Sequence, residues 1–165
     1  MFFETIYRWF IAFFGGDFAD YLSGYICPNS EHPDGGYYGN NQFLMYGWIA
    51  VGIAFAIAAI FYFFNHPRFN KLWHWLLMLL IVGISNFAVV LGMLWNEWYT
   101  VGTAECLIAG TRGGIDIYTL FGFAFANFFV SSIFFIIISV IVFNLLIGRV
   151  AIHNTCNVPI PFHKK

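Results

Sequence analysis

Asn127, Ser131, Ser132, Ser139 and Asn144 interrupt an otherwise apolar run from Tyr118 to Ile147. At helical spacing the first four fall within an arc of about 140°. Ser85 and Asn86 interrupt a second apolar run, Leu72 to Trp95, in the same way. An amide or hydroxyl in apolar surroundings is costly unless it finds a partner, so these groups must face protein or water. Two chemistries follow. Hydrogen bonds between helices are worth about 0.6 kcal/mol each on average. The sharper reading is a hydroxyl- and amide-lined seam, a pore or a shared interface, built from Asn127, Ser131, Ser132, Ser139 and Asn86.

The three cysteines, Cys27, Cys106 and Cys156, are widely spaced. No C-x-x-C pair is present, which argues against a thiol-disulfide redox site. Cys27 and Cys106 fall in loops on one side, so a structural disulfide between them is expected, closing a loop of about 80 residues. The histidines do not stand opposite one another within the apolar runs, and no His-x-x-His or Glu-x-x-His spacing occurs. A haem or metal centre in a helical bundle would need such an arrangement. His74, between Trp73 and Trp75, is placed to sense pH at a boundary. The string Gly110-Thr-Arg-Gly-Gly114 resembles a phosphate cradle only superficially, for it lacks the lysine and the strand-loop-helix setting. The chemistry-bearing residues thus predict no enzyme, no cofactor and no metal.

The elements that must position these side chains are unusually apolar. Of 165 residues, 61% are hydrophobic and 9% charged, and the mean hydropathy is +0.76. Soluble domains carry about 25% charged residues, so this chain lacks the polar surface to face water. A net charge of −1 gives no field for nucleic acid. The length fits one domain.

Crossing a hydrocarbon core of about 30 Å takes roughly 20 apolar residues in a helix. The ranges 43–64, 72–95 and 118–147 meet that need, and none holds Lys, Arg, Asp or Glu. The last would be about 45 Å long and must tilt or project. The fold expected is an all-α integral membrane protein, a bundle of three or four transmembrane helices with short loops, forming a single membrane domain over residues 1–165.

Arg68 and Lys71 lie in the short connection after the first span, and Arg149, Lys164 and Lys165 in the tail 148–165. Glu31, Asp34, Glu97, Glu105 and Asp116 lie on the other side against Arg112. The positive-inside rule places the hairpin and the C-terminal tail in the cytoplasm, with Cys27 and Cys106 outside. Tyr46, Trp48, Trp73, Trp75, Trp95, Trp98 and Tyr99 are expected as boundary anchors. A bacterial inner membrane fits this map, with a mitochondrial inner membrane as the alternative.

Residues 1–26 have two readings. Thr5, Arg8, Ala12, Gly15, Gly16, Ala19 and Ser23 share one helical face, and Phe3, Tyr7, Phe10, Phe14, Phe18, Tyr21 and Tyr25 share the other. A further transmembrane helix would pack its small face on the bundle and pair Glu4 with Arg8. An amphipathic helix in the outer interface, hinged at Gly15-Gly16, would avoid placing Asp17 and Asp20 in hydrocarbon. The opening MFFETIYRWF has no basic leader and no small-x-small site, so it is expected to be retained. A small hairpin is expected within 96–117. In the first span Ala50, Ala54 and Ala58 recur every four residues, a spacing that lets helix backbones approach closely.

These observations point to a non-catalytic polytopic membrane protein, an oligomeric or complex-forming component such as a pore or gate. Its expected partners are the lipid bilayer and either sister copies or other membrane subunits. A small accessory, anchor or toxin-immunity type of subunit acting through the basic tail is the alternative, with a membrane redox enzyme behind both. Coupled transport is disfavoured because the three spans hold no ionisable acid or base of the Lys, Arg, Asp or Glu kind.

Overall fold

A computed structural model describes residues 2–26, 34–37, 39–63, 72–100 and 117–141. Within these, helix α1 covers Phe2–Arg8, α2 Ile11–Phe14 and α3 Gly16–Leu22. Strands β1, Tyr25–Ile26, and β2, Gly36–Tyr37, form an antiparallel pair. Three long helices follow: α4 Gln42–Phe63, α5 Leu72–Thr100 and α6 Ile117–Ile137. The last continues through a π-type turn at residues 138–141.

Three helices among the described residues are long and apolar enough to cross a membrane: Gln42–Tyr62, Trp73–Asn96 and Ile117–Ile141. The molecule is an all-α membrane bundle. The inferred tail 148–165, the end of the third range beyond Ile141, and all three cysteines lie outside the described residues. So do Arg68, Lys71 and most of the outer segment in which a hairpin was expected. The strand pair that is described, β1 with β2, lies on the N-terminal side of α4.

Contacts fix the directions of the long helices. Tyr46 meets Phe123, and Tyr62 meets Ser139, so α4 and α6 run parallel. Trp75 meets Ser139, and Asn86 meets Asn127, so α5 runs antiparallel to α6. Helix α4 starts at a side-chain cap: the Asn41 Oδ1 accepts the Phe43 N–H at 3.0 Å. That bond satisfies one of the four N–H groups that a helix start leaves unpaired.

Ala50, Ala54 and Ala58 are fully buried, so the four-residue spacing does mark the packed face of α4. Gly52 and Ala56, on the same helix, face outward. We expect Ala54→Leu to lose about 1–3 kcal/mol through overpacking, and Ala56→Leu to stay within about 0.5 kcal/mol of wild type. Thermal unfolding of the two variants in one detergent makes the comparison. Equal losses would mean that burial on α4 does not follow the alanine stripe.

The stretch read as one helix over residues 1–26 is three short ones. The chain breaks at Trp9-Phe10 and again at Gly15, whose φ of 82° is a left-handed conformation that glycine adopts without a Cβ clash. The aromatic face turns inward: Phe3, Tyr7, Phe14 and Phe18 are buried. Thr5, Arg8, Ala12, Gly15 and Gly16 are exposed. Up to Gly16 the small-face packing expected of a spanning helix is therefore reversed, while Ala19 of that face is fully buried. Large rings win this contest because each buries far more apolar area than Ala or Gly. The segment docks along α6, with Phe10 stacked on Phe129 and Phe14 edge-on to Phe123. The Glu4–Arg8 pair forms as expected at i,i+4, with Oε1 to Nη2 at 2.9 Å.

Two of the expected boundary anchors also turn inward. Tyr46 is fully buried and Trp75 nearly so, whereas Trp48 and Trp73 remain exposed.

Candidate functional site

The polar side chains singled out on α6 converge inside the single chain. Asn127 and Ser131 are fully buried, and Ser139, in the π turn, is fully buried as well. Asn86 reaches them from α5 and has no exposed surface. Ser132 sits half-buried at the edge of the arc.

Asn127 anchors the first cluster. The Tyr7 hydroxyl donates to Asn127 Oδ1 at 2.6 Å, joining positions 120 residues apart. Asn127 Nδ2 donates to the Phe123 carbonyl at 3.0 Å, and Asn86 Nδ2 donates to the Asn127 carbonyl at 3.0 Å. One residue, through its side-chain amide and its backbone carbonyl, thus ties the N-terminal segment, α5 and α6 together. The Tyr7 ring is also held by Phe43 on α4 and Phe123 on α6. The Asn86 Oδ1 has no hydrogen-bond partner among the described residues.

Ser139 anchors the second cluster, toward the far end of the bundle. Its Oγ accepts the Trp75 Nε1–H at 2.8 Å and shares a 2.5 Å bond with the Tyr62 hydroxyl. Three helices meet in one hydroxyl. Ser131 and Ser132 are local by contrast, both donating to the Phe128 carbonyl, at 3.1 and 2.8 Å. Such bonds back to the preceding turn satisfy a hydroxyl without joining helices.

Of the candidate pore or interface residues, Asn127, Asn86 and Ser139 bond between helices of one chain, whereas Ser131 and Ser132 bond back along α6 itself. This is the interhelical hydrogen-bonding alternative. Tyr7 and Asn86 give Asn127 partners within the chain, and Tyr62 and Trp75 do the same for Ser139. Sequence reasoning missed Tyr7, Tyr62 and Trp75 as members of the seam. Their aromatic bodies read as packing or boundary groups, and only their polar tips point to the role.

Of the glycine notches that set the helices close, Gly47 stands beside the alanine stripe read as a close-packing face, whereas Gly83 and Gly122 were missed. An added Cβ at Gly47 would meet the Phe3 ring, at Gly83 the Phe128 ring, and at Gly122 the Phe13 carbonyl. Among the described residues, no three His, Cys, Asp or Glu side chains gather at a metal-binding distance.

One outward-facing feature stands apart from the seam. A groove of about 660 Å³ runs along the second half of α5, lined by Phe87, Ala88, Leu91, Gly92, Trp95 and, from α6, Phe121. It opens to the surroundings, and an added Cβ at Gly92 would meet nothing. Of the three spanning helices α5 is the least covered, 22% buried over its apolar window against 33% for α4 and 50% for α6.

The class defined by this fold is a polytopic membrane protein whose polar groups are turned inward onto one another. Neither the family models, nor the curated proteins, nor the solved structures contain a match to this chain.

Proposed function

We propose that this protein is a non-catalytic component of a membrane assembly, joined to a sister copy or to another membrane subunit through the outward face of α5. The observation that carries the reading is the groove over Ala88 and Gly92, on the helix its own chain covers least. Association of helices in lipid is driven by close packing rather than by a hydrophobic effect between them. Two small residues four apart, flanked by Phe87, Trp95 and Phe121, leave room for a helix backbone to approach. The reading favours a scaffold or gate-associated subunit over a conduit lined by the α6 arc, because that arc is occupied by internal hydrogen bonds.

A disulfide between Cys27 and Cys106, the cytoplasmic hairpin and tail, and a bacterial inner membrane belong to the same proposal. They rest on the charge asymmetry of the loops.

The test is assembly state in nanodiscs or mild detergent, read by mass photometry. Wild type is expected to form a defined oligomer, or a stable complex with a co-purifying membrane subunit. Gly92→Leu is expected to weaken it at least tenfold, while Gly52→Leu, on the outward face of α4, leaves it unchanged. A strictly monomeric wild type with no co-purifying subunit would sink the proposal, as would equal effects of the two variants.

A further inference from the structure

A second groove, of about 580 Å³, lies on another side of the bundle, between α1, α4 and α6. Its walls include Phe2, Phe3, Leu44, Trp48, Val51 and Phe134, and Glu4 and Asn41 also line it. Leu44, Trp48 and Val51 recur at i, i+4 and i+7, one stripe of α4 about 10 Å long. Ile138 extends the apolar wall along α6. Phe2, Leu44 and Trp48 are 69%, 56% and 62% exposed, so the groove is open along its side. An acyl chain enters such a groove from the bilayer without crossing water or the packed core.

The polar lining supplies the other half of the argument. Asn41 is the residue before the first spanning helix, which begins at Gln42, so it stands at the depth of lipid headgroups. Glu4 is bound to it, with the Asn41 Nδ2 donating to Oε2 at 3.3 Å. Arg8 donates to the other oxygen, Oε1, from Nε at 3.0 Å and approaches it with Nη2 at 2.9 Å. A carboxylate accepts about four hydrogen bonds, so Glu4 keeps capacity on Oε2. A guanidinium carries five N–H donors, so Arg8 keeps donors of its own. A fixed anion and cation side by side complement a headgroup that carries an ammonium next to a phosphate.

We propose that this groove binds one membrane phospholipid with a primary-amine headgroup: an acyl chain along Leu44, Trp48 and Val51, the ammonium at Glu4 and the phosphate at Arg8. Phosphatidylethanolamine has this chemistry. Phosphatidylcholine keeps the positive charge but has no N–H to donate to Oε2. Phosphatidylglycerol has no cation at all. The inference does not rest on the assembly face of α5, which is a different surface.

Native mass spectrometry of the full-length protein, reconstituted with the three lipids at matched acyl chains, tests it. Wild type is expected to retain one lipid and to prefer the ethanolamine headgroup roughly tenfold over either competitor, as one charge-assisted hydrogen bond warrants. Glu4→Gln is expected to reduce that preference to about twofold or less. Val51→Trp, which fills the groove, is expected to abolish retention of all three. Equal retention of the three headgroups by wild type would overturn the site, and that comparison depends on no variant. Unchanged retention in Val51→Trp would overturn it too, because the lipid would then sit elsewhere. So would a peptide or a sister chain occupying the groove in place of lipid.

Discussion

Ser139→Ala is expected to cost the bundle about 2–4 kcal/mol. The substitution removes the acceptor of the Trp75 Nε1–H, a buried donor held at 2.8 Å, and breaks the 2.5 Å bond to the Tyr62 hydroxyl. A buried donor left unpaired costs about 1–3 kcal/mol, and a lost hydrogen bond about 1 kcal/mol. In lipid the penalty is not relieved by water at the same depth. Ser132→Ala is the matched control. Among the described residues its hydroxyl bonds to the Phe128 carbonyl one turn back, so its removal should shift stability by less than about 0.5 kcal/mol. Thermal unfolding followed by tryptophan fluorescence reads both, and Trp75 itself should report the loss as a spectral shift. Similar stability of the two variants would show that Ser139 does not hold the three helices together.

The second large effect is expected at Gly122. A methyl group there meets the Phe13 carbonyl, backbone against backbone, so neither side can yield by rotating a side chain. Gly122→Ala should therefore displace α2 from α6 and, with it, the Tyr7–Asn127 hydrogen bond. Overpacking of this kind costs about 1–3 kcal/mol and sometimes more, offset by at most about 1 kcal/mol from the better helix propensity of Ala. The expected signature is local. Amide exchange over residues 2–22 should accelerate at least tenfold while exchange in α5 changes little. Gly52→Ala supplies the control, since an added Cβ there meets nothing within 4 Å. It should be neutral or slightly stabilising. Unchanged protection of α1 to α3 in Gly122→Ala would mean that the N-terminal segment is not seated against α6 as described.

The two predictions probe opposite ends of one design. Toward the start of α4, the Phe3 ring fills the notch left by Gly47 and the Phe13 backbone the notch left by Gly122. Toward its end, the indole of Trp75 and the phenol of Tyr62 fill the space around a serine. Near the first, the Tyr7 hydroxyl meets Asn127, and at the second the Trp75 N–H meets Ser139, polar pairs closed inside the apolar interior as lipid surroundings demand.

The spans were legible in the sequence because hydropathy is a local property. Twenty apolar residues without a charge have one stable place, whatever their neighbours. The alanine stripe was legible for a related reason, since residues four apart share a face in any helix. The Glu4–Arg8 pair and the glycine hinge at position 15 depend only on neighbours in sequence, and both appear as read. Which way the α6 arc faces was not legible. A helix that is apolar on nearly every side has no periodic signal to tell its lipid face from its packed face. Asn127 and Ser139 became internal only because Tyr7 and Tyr62, 120 and 77 residues away, bring hydroxyls to meet them. The same holds for the first 26 residues. Their two faces were plain in the sequence, but the choice between them was made by the rings of α6 and the notches in α4 and α6, which exist only once those helices stand side by side.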